Sequence, residues 1–237
     1  QDMDDKGTVV SSDVLRNDRD TVFPLQAALG YDLAQTLFVG PNCLLVEGPS
    51  DLIYLQILSE ACSSAGQEAL DPRWVVVPVG GADKVSTFVS LLGANQLNIA
   101  VLMDISSKDM QRIRNLQSNG FLGKSSLIDI GSVIGVKDAD IEDIFTPKFY
   151  LRLVNGAYSS ELSTELKEAD LTEANPRIVK RLESYFKSKD IAKGTFSHYS
   201  PAVYLLQKQK DLLKSLDSKT LGFAATIFSQ ANALLQK

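Results

Sequence analysis

Residues Cys43–Asp51 read CLLVEGPSD: four apolar side chains run into Glu47, then a Gly-Pro pair, then Ser50 and Asp51. A run apolar at every position, rather than at every second one, suits a strand covered on both faces, as in a parallel sheet. The next residues carry a helix-start pattern. Ser50 is a good N-cap, Asp51 places negative charge in the first turn, and Leu52, Ile53, Leu55, Ile57, Leu58, Ala61 and Cys62 supply a broad apolar face through Ala65.

The same alternation recurs downstream. RWVVVPVGG (73–81) precedes a helix-like stretch from Asp83 to Leu92, and NIAVLMD (98–104) precedes one from Lys108 to Ser118. A fourth strand-like run, SSLIDIG (125–131), completes the series. The expected fold is α/β: a parallel sheet with helices on both faces and right-handed crossovers, from about Cys43 to Phe145. Residues 21–40 predict a helix broken near Gly30, a connection to a domain upstream. Beyond the core, helices are predicted at about Ser160–Ala169, Pro176–Lys187, Pro201–Lys214 and Ser218–Leu235, with Pro176 and Pro201 at first-turn positions.

Composition narrows the chemistry. The 237 residues are 44% hydrophobic, enough for a substantial core, and no apolar run reaches the roughly 20 residues that span a bilayer. The amino end lacks the basic start and apolar stretch of a signal peptide, so a cytoplasmic protein without membrane partners is expected. A first residue of Gln1 instead of Met suggests a fragment or a processed chain. Cys43 and Cys62 read as small buried hydrophobes, and with His198 the single histidine, a zinc site or a histidine triad is a poor match. A metal would be held by carboxylate oxygens, which favours Mg²⁺ or Mn²⁺. The net charge of −5 is uneven: residues 176–220 carry a local +6, leaving −11 elsewhere. An acidic centre beside a basic segment suits a metal-dependent enzyme acting on a polyanion.

In a parallel sheet, ligands bind at the carboxyl ends of the strands. Glu47 and Asp104 fall at such ends, Asp129 joins them if its strand stops early, and Asp51 lies beside Glu47 on the next helix. A later stretch, DADIEDIF (138–145), adds Asp138, Asp140, Glu142 and Asp143, with Ile144 and Phe145 to anchor it. A divalent cation makes such converging carboxylates tolerable to one another. LGKSS (122–126) imitates the end of a P-loop, but Ser118 stands where the motif needs glycine. Gly80 and Gly81 read as a tight strand-to-helix turn that allows close approach to a phosphate. His198, flanked by Phe196 and Tyr199, reads as a packed loop residue.

LLVEGPSD (44–51), VPVGGADKV (77–85) and AVLMDISS (100–107) resemble the TOPRIM catalytic domain shared by topoisomerases, primases and several nucleases. DIEDIF (140–145) and the helical tail are similar to the carboxyl-terminal region of the OLD (overcoming lysogenization defect) family nucleases. The resemblance spans about Leu37 to Phe145. It implies three regions: 1–36, a helical lead-in from an upstream ABC-type ATPase domain; 37–150, the TOPRIM catalytic domain; and 151–237, a helical subdomain.

The resemblance further implies a two-metal DNA endonuclease with little sequence preference, using two Mg²⁺ or Mn²⁺ ions. Glu47 then matches the strand-end glutamate that touches both ions, Asp51 the acid of the following helix, and Asp104 the first aspartate of an Asp-x-Asp pair. Ser106 replaces the second aspartate, a weaker neutral ligand, so Asp140 and Glu142 are expected to complete the second metal site. Asp109 is a fallback ligand. Lys193, or else Lys84, would offset transition-state charge. Other TOPRIM chemistries, nucleotidyl transfer or strand passage, and a non-catalytic metal-binding module remain as alternatives.

Overall fold

A computed structural model of the chain describes residues 40–93, 97–103, 115–118, 120, 122, 123 and 126–235, together with the two-residue strands Asp2–Met3 and Gly7–Thr8, which pair antiparallel. The helix expected over 21–40, apart from Gly40, and the positions Asp104, Ser106 and Asp109 lie outside the described residues, as does most of Lys108–Ser118, of which 115–118 is helical.

Strand β1 (Asn42–Val46) is followed by helix α1 (Pro49–Ser64), β2 (Trp74–Pro78), α2 (Ala82–Gly93), β3 (Asn98–Met103) and β4 (Leu127–Asp129). The sheet order is β2-β1-β3-β4, and every pairing is parallel. Cys43 stands opposite Val75 on one side and Ile99 on the other, so β1 is central. Its two-residue pleat sorts the run CLLV between two cores. Leu44 and Val46 join Ala100, Leu102 and Ile128 beneath α1, whereas Cys43 and Leu45 join Val101, Met103 and the α2 residues Val85, Val89 and Leu92. Helices therefore cover both faces, as the continuous apolar run requires. Both cysteines are buried free thiols, and burial pushes Cys43 up to about 11, leaving it an inert packing group.

After β4 come the short helix α3 (Ile130–Ile134), a 3₁₀ turn at Ile141–Ile144, and helices α4 (Pro147–Ala157), α5 (Ile178–Lys189), α6 (Tyr199–Leu212) and α7 (Ser218–Asn232). Helices α6 and α7 pack on α1, and the core beneath α1 continues through Phe149, Leu182, Leu205 and Phe228. Asn98 ties the base of the sheet to the chain's end, its side-chain amide donating to Leu234 O at 3.0 Å. The tail is thus built into one face of the sheet.

One predicted element moved. Instead of a helix at Ser160–Ala169, α4 forms earlier, and only Glu168–Asp170 makes a 3₁₀ turn. Phe149, Tyr150, Leu151, Leu153 and Val154 give α4 a wide face to bury, which the polar 160–169 stretch lacks. The Asn155 side chain also accepts from Leu166 N–H at 2.8 Å and donates to Leu166 O at 2.9 Å, taking up backbone groups that a helix there would use. Among the described residues no helix is long and apolar enough to cross a membrane.

Candidate active site

Glu47 leaves β1 at its carboxyl end, where the Gly80 and Gly81 N–H groups donate to its carbonyl at 2.8 and 2.9 Å. Both glycines have positive φ, 83° and 126°, so the tight turn after β2 demands them. The turn fixes the Glu47 backbone, and these two amides are committed to it. Gly48 N–H donates to Asp51 Oδ2 at 3.0 Å, holding the Asp51 carboxylate over the start of α1. The tandem of acids in the opening stretch is therefore a strand-end glutamate and a helix-start aspartate, locked together through backbone.

Against this pair the fold brings the acidic loop. Ile144 and Phe145 are buried, and Phe145 stacks on Phe149 with ring centroids 5.5 Å apart and meets Tyr54 edge-on at 5.1 Å. Asp143 stitches the loop to the tail: its Oδ2 accepts from Asp140 N–H at 2.8 Å and its Oδ1 from Ile178 N–H at 2.9 Å. Glu47, Asp51, Asp140 and Glu142 then line one cleft of about 270 Å³, together with Arg177 and His198.

The electrostatics show how closely these groups interact. Burial, together with the charges of Glu142 and Asp140, pushes the Asp51 carboxyl up to about 7, against the opposing pull of the Gly48 and Glu47 amides. Burial likewise raises Asp143 to about 6. Arg177 grips Asp140 with two nitrogens: Nε donates to Oδ2 at 2.7 Å, and Nη2 bonds Oδ1. His198 lies between two carboxylates, with Nδ1 at 3.4 Å from Glu142 Oε1 and Nε2 at 3.0 Å from Glu183 Oε1. Its pKa rises to about 9, chiefly through Glu142, which is only 2% exposed and so acts more strongly than the nearer, better solvated Glu183. Behind the cleft, burial and the charge of Glu142 hold the phenols of Tyr54 and Tyr150 protonated, well above their ordinary range.

Of the residues singled out in sequence, the structure gathers Glu47, Asp51, Asp140 and Glu142. Asp104 follows Met103, which lines the same cleft, but Asp104 and Ser106 lie outside the described residues. Lys193 is exposed on a 3₁₀ turn, where Ala192, Lys193 and Gly194 all take positive φ, and it is not part of the cleft lining. Lys84 is exposed on α2. Asp129 ends β4 as expected but serves as the N-cap of α3, accepting from Gly131 and Ser132 N–H. Arg177 and Glu183 carried no local signal. His198 is packed against Phe196, with centroids 5.7 Å apart, yet it also reaches the cleft.

The donor set is all oxygen and mutually repelling, which fits a hard divalent cation. Among the described residues, however, no three His, Cys, Asp or Glu side chains stand ready to hold an ion. A larger cleft of about 1170 Å³ lies against α4, lined by Arg152, Lys167, Tyr204 and others, and the acids on its wall are Glu165, Glu168 and Asp217.

A parallel sheet that delivers carboxylates to the ends of its strands, with helices on both faces, is consistent with a TOPRIM-like α/β domain. Residues 38–105, from just before β1 to just past β3, match the family described as Overcoming lysogenization defect protein-like, TOPRIM domain, and the chain carries a TOPRIM region of that type. TOPRIM domains generally bind divalent metals, and the match points to nucleic-acid chemistry of the nuclease or nucleotidyl-transfer kind. No curated protein and no solved structure matches the chain.

Proposed function

We propose that the chain is the catalytic unit of a Mg²⁺- or Mn²⁺-dependent DNA endonuclease that hydrolyses phosphodiester bonds with little sequence preference. The supporting observation is the convergence of Glu47 and Asp51 with Asp140 and Glu142, about ninety residues later, in one cleft at the carboxyl edge of the sheet. Glu47 and Asp51 would hold the metal, with Asp104 and Ser106 assigned from their place after β3. A bound divalent ion supplies Lewis-acid activation of water and stabilises the leaving oxygen.

The protein's own residues do the rest. The Gly80–Gly81 turn and the Gly48 amide hold the two acids in place, and the buried core behind them keeps the cleft walls rigid. Exposed lysines on α5 and the turn after it, Lys187, Lys189 and Lys193, supply phosphate-binding charge without reading bases. Lys193 is assigned the charge-offsetting role, and an ABC-type ATPase region upstream is the expected regulator. Strand passage would need a tyrosine nucleophile, and among the described residues no tyrosine lines the cleft.

A plasmid-nicking assay with Mg²⁺ or Mn²⁺ tests the reading. Wild type is expected to convert supercoiled DNA to open circles, and Glu47→Ala to fall to background. Equal cutting by the two proteins would remove Glu47 from the mechanism.

A further inference from the structure

The cleft that gathers Glu47, Asp51, Asp140 and Glu142 also takes in a side chain that cannot lose its positive charge, Arg177. It belongs to the tail, as the residue just before α5, and a closed ring of bonds fixes its place. Asp143 accepts from Asp140 N–H at 2.8 Å through Oδ2 and from Ile178 N–H at 2.9 Å through Oδ1. Arg177, next to Ile178, completes the ring: its Nε donates to Asp140 Oδ2 at 2.7 Å and its Nη2 bonds Oδ1. Asn175 Oδ1 also accepts from the Arg177 N–H at 3.0 Å. Backbone and guanidinium are therefore both held. The side-chain pairing is fork on fork, which sets the plane of the guanidinium as well as its position. The Arg177 side chain is 27% exposed, against 14% for Asp140, so the charge is presented at the cleft instead of being sealed behind it. A phosphodiester entering an acidic cleft needs such a donor, set in advance, to offset repulsion and the charge that builds on its non-bridging oxygens. Lys193 is exposed and is not part of the cleft lining.

We infer that Arg177 is a catalytic residue of the hydrolysis: its guanidinium binds a non-bridging oxygen of the scissile phosphate, and Asp140 is the positioning carboxylate that aims it. This rests on the nuclease reading and moves the direct contact with the phosphate from Lys193 to Arg177. In the reaction a water oxygen bonds to phosphorus as one P–O ester bond breaks. One water proton ends on the departing oxygen and the other on the new phosphate monoester. Arg177 gives up no proton and acts by charge and hydrogen bonding alone.

The test is nicking kinetics with the 237-residue chain, alongside Mn²⁺ titration by calorimetry and circular dichroism of each variant. Arg177→Ala should lower kcat about 100-fold or more, as when a transition-state donor is removed, with KM within about threefold of wild type. Arg177→Lys keeps the charge and a bond to Asp140, so it should fold and bind Mn²⁺ as wild type does, yet lose about tenfold or more in kcat. Asp140→Asn should lower kcat by itself and change it little in the Arg177→Ala background, because Asp140 acts through Arg177. Wild-type kcat in either folded Arg177 variant would overturn the inference and leave the nuclease reading standing. A fall in rate matched by an equal fall in Mn²⁺ affinity would also overturn it, as would fully additive losses in the double variant. No cutting by wild type with Mg²⁺ or Mn²⁺ would overturn both.

Discussion

Asp217 shows how much a single side chain can hold. It caps α7, accepting from Thr220 N–H at 2.8 Å, and it accepts from the Thr146 hydroxyl at 2.9 Å, joining the starts of α7 and α4. Burial pulls its pKa upward, but the bonds from Thr220 and Thr146 outweigh that and leave it below the ordinary value of 3.8. A carboxylate so lowered stabilises the fold above the unfolded value and loses that contribution as pH falls through the folded one. Asp217→Ala should cost about 1 to 2 kcal/mol at neutral pH, and the gap to wild type should narrow in melts run below pH 3.8. A gap independent of pH would deny the charge a role. Gly156 makes a different point. A Cβ there would come within 2.1 Å of the Tyr204 ring, so Gly156→Ala gains helix propensity but displaces the ring that packs α6 on α4. Overpacking of that kind costs typically 1 to 3 kcal/mol against a gain of up to about 1, and a net loss in thermal stability is expected. Neither role was legible in sequence. A glycine inside a helix shows no sign of the ring it faces, and the Asp217–Thr146 bond joins positions 71 residues apart.

Among elements, the acidic loop depends most on its neighbours. Asp143 holds two backbone amides from segments far apart in the chain, Asp140 and Ile178. Removing the acceptor leaves both N–H groups wanting, at about 1 to 3 kcal/mol each, so Asp143→Ala should lower stability by roughly 2 kcal/mol or more. Unchanged melting would mean that the loop keeps its shape without this stitch. Helix α5 offers the complementary case. Lys187 and Lys189 are exposed in its last turn, so changing both to Glu should leave the fold within about 1 kcal/mol of wild type. Binding of DNA, followed by fluorescence anisotropy across a salt series, should weaken, with the salt slope reduced by about 0.9 for each phosphate the protein no longer neutralises. An unaltered slope would place the DNA elsewhere. Elements dense in apolar residues, such as α1 and β1, were legible because burial alone dictates them. The segment 160–169 departs from its predicted helix because its fate hinges on the Asn155 side chain, a tertiary bond that outcompetes a weak helical preference.

At the scale of the whole molecule, sheet and tail are one packing unit. The face carrying Leu44, Val46, Ala100, Leu102 and Ile128 shares its core with Leu182, Leu205 and Phe228 from the tail. A chain ending at residue 150 would bare that apolar surface, and it should bind a hydrophobic dye and lack a cooperative melt. A sharp transition in the truncated chain would show that the sheet region folds unaided. The uneven charge has a structural counterpart as well. Arg177 and His198, from the basic segment, are paired with Asp140 and Glu142, while lysines further along remain at the surface. By itself the sequence determined the parallel sheet, its two covering layers, and the delivery of Glu47 and Asp51 to one edge, because strand burial, helix capping and turn glycines act over a few neighbouring residues. Which cations meet which acids was settled only in three dimensions. Asp140 and Arg177 are 37 residues apart, and Glu142 and His198 are further still. Pairings across such distances follow from how helices pack on a sheet, and they leave no periodic trace in the chain.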